Sequence, residues 1–220
     1  MGEWFRTPDW DAAAREDFEQ RLGRARSSRP QYLRIKALAL TSVGLFDDAV
    51  RLLERLRTEH PDAFDVWYAA EVLGDIAREQ GRLDEAEHHY RRLLSSPERN
   101  GTSGMVEVSL AEVLLEAGRA DDAAVALEQA DRDSVDTFHA NLFRFLVTRA
   151  RIDAARGHVD GAATAAARAL ELVDAPSQYP RHPGVGVVRT DDASIDALRE
   201  MTRAGGPGAP PGDDRAEEEL

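Results

Sequence analysis

Gly81-Arg82-Leu83-Asp84-Glu85-Ala86 decides how this chain folds. A glycine can take the left-handed conformation that ends a helix, which other residues reach only at a steric cost. An acid three or four residues later lies in the first turn of the next helix, where the helix dipole favours a negative charge. The alanine is small enough to let two helices approach closely. The phrase therefore predicts a helix, a tight turn and a second helix. It stands again at Gly44-Leu45-Phe46-Asp47-Asp48-Ala49 and at Gly118-Arg119-Ala120-Asp121-Asp122-Ala123. A fourth copy, Gly157-His158-Val159-Asp160-Gly161-Ala162, keeps the glycine, the apolar residue, the acid and the alanine. The glycines are spaced by 37, 37 and 39 residues, a regularity that marks a repeat architecture.

Around each phrase apolar residues recur at helical spacing, as Leu33, Ala37 and Leu40 do before Gly44 and Val50, Leu53 and Leu56 after it. Upstream, Thr7-Pro8-Asp9 reads as a helix start with Thr7 as N-cap. Trp10, Ala14, Phe18, Leu22 and Ala25 then form one stripe suited to covering the end of a repeat array. Downstream of Val173, Pro176, Pro180, Pro183 and Gly184-Val185-Gly186 predict an extended segment, and Asp191-Asp192 open a short helix through about Arg203. This segment either folds back as a cap or recognises a partner. The last stretch, rich in Gly, Pro and acid, reads as a disordered tail.

These units resemble the tetratricopeptide repeat (TPR) family. The second unit carries Leu73-Gly74, Gly81, Leu83, Ala86, Tyr90 and Leu93 in the family's spacing, and the first closes on Pro61. The fourth is degenerate, with Arg149 where an apolar residue is usual and a second helix that is mostly alanine. Spacings above the usual ~34 residues imply longer helices or loops such as Ser95 to Gly104. The expected fold is all-α, a right-handed solenoid of helical hairpins. It divides into a capping helix over residues 1–29, repeats over 30–61, 62–97, 98–133 and 134–173, a Pro-rich segment plus helix over 174–203, and a tail over 204–220.

Composition narrows the chemistry. The 220 residues are 42% hydrophobic and carry a formal charge of -13 without a single cysteine. Thiolate nucleophiles, disulfides and cysteine metal sites are excluded, and the acidic balance argues against nucleic acid as a partner. No run is apolar enough for a membrane helix, and the chain reads as cytoplasmic. Lys36 is the only lysine, so no phosphate-binding loop is possible. His88-His89 are adjacent on a helix and point ~100° apart, so they do not share a metal. Glu85 and His88 have the spacing of half a di-iron motif, and no second copy exists. The chain reads as a non-enzyme without cofactor.

The family resemblance implies that the first helix of each repeat lines a concave surface that holds a partner segment. The positions that map there are Gln31, Arg34, Leu38 and Ser42, then Tyr68, Glu71, Asp75, Arg78 and Glu79, then Val108, Glu112, Leu115 and Glu116, and finally Arg144, Val147, Thr148 and Arg151. Glu71, Asp75 and Glu79 stack at intervals of four, as do Glu112 and Glu116, and Asp75 can pair with Arg78. Residues 62–130 hold 15 acids and 6 arginines. That concentration reads either as an acidic groove for a basic peptide or as a solubilising surface. The arginines do not match the carboxylate clamp of chaperone-binding members. The resemblance thus implies an interaction scaffold or adaptor. Its alternatives are a peptide- or small-molecule-responsive sensor and an accessory subunit of an enzyme complex, and the alanine-rich helix leaves self-association open.

Overall fold

The computed structural model describes residues 3–96 and 101–206. Among them eleven helices and no strand occur: α1 (Ala12–Arg24), α2 (Arg29–Thr41), α3 (Phe46–Glu59), α4 (Asp65–Glu79), α5 (Leu83–Leu94), α6 (Val106–Glu116), α7 (Ala120–Glu128), α8 (Arg132–Asp136), α9 (His139–Ala155), α10 (Val159–Val173) and α11 (Asp192–Ala204). They fall into two compact units, Met1–Arg119 and Ala120–Leu220.

The repeated phrase does the same thing four times. Gly44, Gly81, Gly118 and Gly157 have φ of 77°, 72°, 76° and 75°. At each, the next residue's N–H donates to a carbonyl five residues back: Leu45 to Leu40, Arg82 to Ala77, Arg119 to Leu114 and His158 to Asp153, at 2.8–3.0 Å. That bond satisfies a carbonyl the helix end would otherwise leave open. The alanines that follow, Ala49, Ala86, Ala123 and Ala162, are all buried.

In the first unit α2 to α6 pack in chain order, and the first helices of consecutive repeats, α2, α4 and α6, also touch one another in sequence. Leu33, Ala37, Leu40, Leu53, Leu56, Ala69 and Ile76 form its core. Tyr90 is fully buried, and its hydroxyl donates to Asp75 at 2.6 Å. A Cβ at Gly74 would stand 2.6 Å from the Tyr90 ring, so this helix crossing requires a glycine.

The capping helix begins later than its sequence suggests. Asp11, not Thr7, is the N-cap of α1, accepting from the Ala14 N–H at 2.8 Å. Thr7 and Asp9 are instead used through their carbonyls, which accept from the buried Lys36 ammonium at 2.7 and 3.0 Å. Trp4, Phe5 and Trp10 join Phe18 and Tyr32 in an aromatic cluster over the same helix.

In the second unit α10 packs on α9 and α11. Ala162, Ala165, Ala166 and Ala169 are buried there, so the alanine stripe is covered within the chain. The segment after α10 folds back rather than projecting. The Gln178 side-chain oxygen accepts from the His139 N–H and the Gly186 carbonyl from the Ala140 N–H, at 2.8 and 2.9 Å, closing the start of α9. Leu198 of α11 is buried, and at Gly205 a Cβ would stand 2.4 Å from that of Ala163. The short α8 interrupts the end of the third repeat, a helix the spacing does not predict. The connection from Ser95 to Met105 is long as expected, with residues 97–100 outside the described part. Most of the acidic tail, residues 207–220, also lies outside it.

Candidate partner-binding face

Counting back from each helix-ending glycine puts the candidate residues in register. Ten residues before it stand Arg34, Glu71 and Val108; six before, Leu38, Asp75 and Glu112; two before, Ser42, Glu79 and Glu116. Because α2, α4 and α6 pack side by side, these rows run across one layer of the first unit. The rows are joined by polar cross-links that single-helix reasoning does not reach.

Arg34 Nε pairs with Asp65 at 2.5 Å, and its guanidinium lies over the Tyr68 ring at 5.1 Å. Burial, then Glu71 and Asp75, push the Tyr68 hydroxyl above its ordinary pKa against the opposing pull of Arg34. Glu71 is 4% exposed and accepts from the Ser103 N–H at 2.8 Å and from the Ser103 hydroxyl, fixing the loop that enters α6. Arg78 reaches across to α6, where it pairs with Glu112 and, at 2.6 Å, with Glu116. Burial disfavours the Arg78 charge, but its hydrogen bond to Glu116 and the charges of Glu112 and Glu116 more than offset that. Glu112 is 7% exposed.

Each acid stack is therefore split between buried and exposed members. Glu71 and Glu112 are buried in bonds between neighbouring repeats, and Asp75 holds the Tyr90 hydroxyl. Val108 is fully buried and lies in the core. Asp75, Glu79 and Glu116 are exposed, and Leu115 is half-buried. On α2, Gln31, Arg34 and Leu38 do come together. With Arg6, Ile35 and Ala39 they line a cleft of about 640 Å³. Arg6 of the N-terminal segment was not predictable as a lining residue, since it arrives from outside the repeats.

Arg144, Val147, Thr148 and Arg151 belong to α9 in the second unit. Thr148 is buried and its hydroxyl donates to the Arg144 carbonyl at 2.8 Å, Val147 is half-buried and Arg151 is exposed. The degenerate position is paired: Arg149 Nε meets the buried Asp153 at 2.9 Å. Among the described residues no group of three or more His, Asp or Glu side chains is placed to hold a metal ion, and no helix is long and apolar enough to cross a membrane.

A family model described as tetratricopeptide repeat matches residues 36–104 and, overlapping, 72–137. Residues 36–137 are tetratricopeptide repeats. No curated protein matches it at a significant level. TPR units generally mediate protein–protein interactions, and the matched stretch includes Leu38 and the whole of the α4–α6 rows. It stops short of α9, whose TPR assignment rests on the Gly157 cap and the buried Ala162. In a TPR frame the α2 cleft and the exposed acids of α4 and α6 are the parts of the first-helix layer still open to a partner.

Proposed function

We propose that this TPR protein is a non-enzymatic adaptor that holds an extended, basic segment of a partner along α2, α4 and α6 of its first unit. What supports this reading is the α2 cleft, where Leu38, Ile35 and Ala39 offer an apolar seat beside Gln31 and Arg34. Buried apolar anchors carry most of the affinity in such contacts. Asp75 and Glu79, both exposed on α4, supply negative charge on the neighbouring helix and would select Lys or Arg on the segment.

Random-peptide display tests it. The wild type is expected to enrich sequences with an apolar residue followed by Lys or Arg, Leu38→Asp to abolish enrichment, and Glu79→Lys to remove the preference for basic residues. Enrichment of acidic peptides, or none at all, would sink the reading. Glu71 and Glu112 are unsuited to this test, because changing them breaks the bonds to Ser103 and Arg78.

A further inference from the structure

A second cleft in the first unit shares no residue with the α2 cleft. It holds about 390 Å³ between the end of α3, the first turns of α4 and the end of α5, within the range that small ligands occupy. Its apolar part is Val66, Trp67 and Leu93, and its polar part is dominated by Arg57, His89 and Arg92. No carboxylate lines it among the described residues, although the chain carries 41 acids. Arg57 engages Glu54 through one Nη at 2.9 Å, and Arg92 is exposed with no acid paired to it among the described residues. Burial holds the His89 imidazole below its ordinary pKa against the pull of the Glu85 carboxylate, 3.9 Å from Nε2. The first turn of α4, which contributes Val66 and Trp67, adds the positive end of a helix dipole.

An apolar wall with a cationic rim, on a strongly acidic protein, has complementarity for one kind of molecule. We infer that this cleft binds a small free carboxylate with an apolar body, its ring or branched chain against Trp67, Val66 and Leu93 and its carboxylate facing Arg57 and Arg92. Such a ligand gains a charge-assisted hydrogen bond in a partly desolvated site, and the surrounding negative charge rejects the same carboxylate elsewhere on the surface.

Calorimetric titration of the full chain with 3-phenylpropionate and with its amide tests the inference. The acid is expected to bind saturably at one site and the amide at least about tenfold more weakly, the loss of one charge-assisted hydrogen bond. Arg92→Gln, at an exposed position that leaves the fold intact, should weaken the acid by a similar factor, and Ala70→Phe, which fills the cleft, should abolish binding. Leu38→Asp should leave it unchanged, which separates this site from the partner-binding face. Equal affinity for acid and amide, no saturation at millimolar concentration, or unchanged binding in Arg92→Gln would overturn it. So would tighter binding of a peptide ending in Phe than of the free acid, since the occupant would then be a chain terminus.

Discussion

Lys36 in the first unit and Arg149 in the second occupy the same place in their repeats, eight residues before the helix-ending glycine, where the middle repeats carry Leu73 and Leu110. Both leucines are about 4% exposed, so a neighbour covers them. The two cations are accommodated in opposite ways. Lys36 is 2% exposed and hands its charge to the carbonyls of Thr7 and Asp9, with the Trp10 ring 5.0 Å from its nitrogen. Arg149 keeps a partly exposed side chain and instead draws a carboxylate into its own helix. Asp153 stands where the other repeats have Leu40, Ala77 and Leu114, and Gly161 replaces an acid so that the carboxylate has room. A Cβ at Gly161 would already approach Asp153 Oδ2 to 3.0 Å. One cation is covered by chain brought from outside the repeat; the other is neutralised within it.

The largest expected effect comes from removing the covered cation. Lys36→Ala leaves two carbonyls without a donor and should cost about 3 kcal/mol by denaturant unfolding, with amide exchange accelerated over residues 3–10. Unchanged exchange there would mean that the aromatic cluster alone holds the segment. The Arg149–Asp153 pair should respond unequally, because only the carboxylate is buried: its side chain is 6% exposed against 38% for the arginine. Arg149→Ala leaves that carboxylate only the His158 imidazole, 3.7 Å away, and should cost about 2 kcal/mol, whereas Asp153→Ala, leaving an arginine that can turn to water, should cost nearer 1 kcal/mol. The reverse order would show that the arginine's packing, not its charge, is what the site needs.

Replacing both, as Arg149→Leu with Asp153→Ala, recreates the middle-repeat arrangement and should fall within about 1 kcal/mol of wild type. The smallest effect is a pH dependence. Burial lowers the Lys36 pKa, against a smaller opposing pull from Asp9. Between its folded pKa and the unfolded 10.5 the unfolded chain therefore binds more protons, and this lysine's contribution makes stability rise with pH through that window. The wild-type minus Lys36→Met difference should carry that rise. A flat difference would mean the ammonium is solvated.

The caps, the first-turn acids and the buried alanines are legible in the sequence because each depends on residues a few positions apart. Gly74 and Tyr90 stand at family-pattern positions, but their close approach is set between two helices and appears only in the structure. The candidate face is less so. Glu71, Arg78 and Glu112 read as one groove on the strength of spacing within a helix, yet their partners lie 32 to 38 residues away. Nothing local says that Arg78 will prefer Glu116 on the next first helix. The start of α1 differs from the sequence expectation for a related reason: Thr7-Pro8-Asp9 suits a helix, but the Thr7 and Asp9 carbonyls are claimed by Lys36, 29 and 27 residues away.

The closure of α9 by Gln178 and Gly186 has a consequence for synthesis. His139 and Ala140 leave the ribosome about 40 residues before the groups that accept their N–H bonds. At ~5–20 residues per second that is a delay on the order of 2–8 s. Through that interval the nascent helix has an unfinished end, while the first unit, complete by Arg119, is already free to fold.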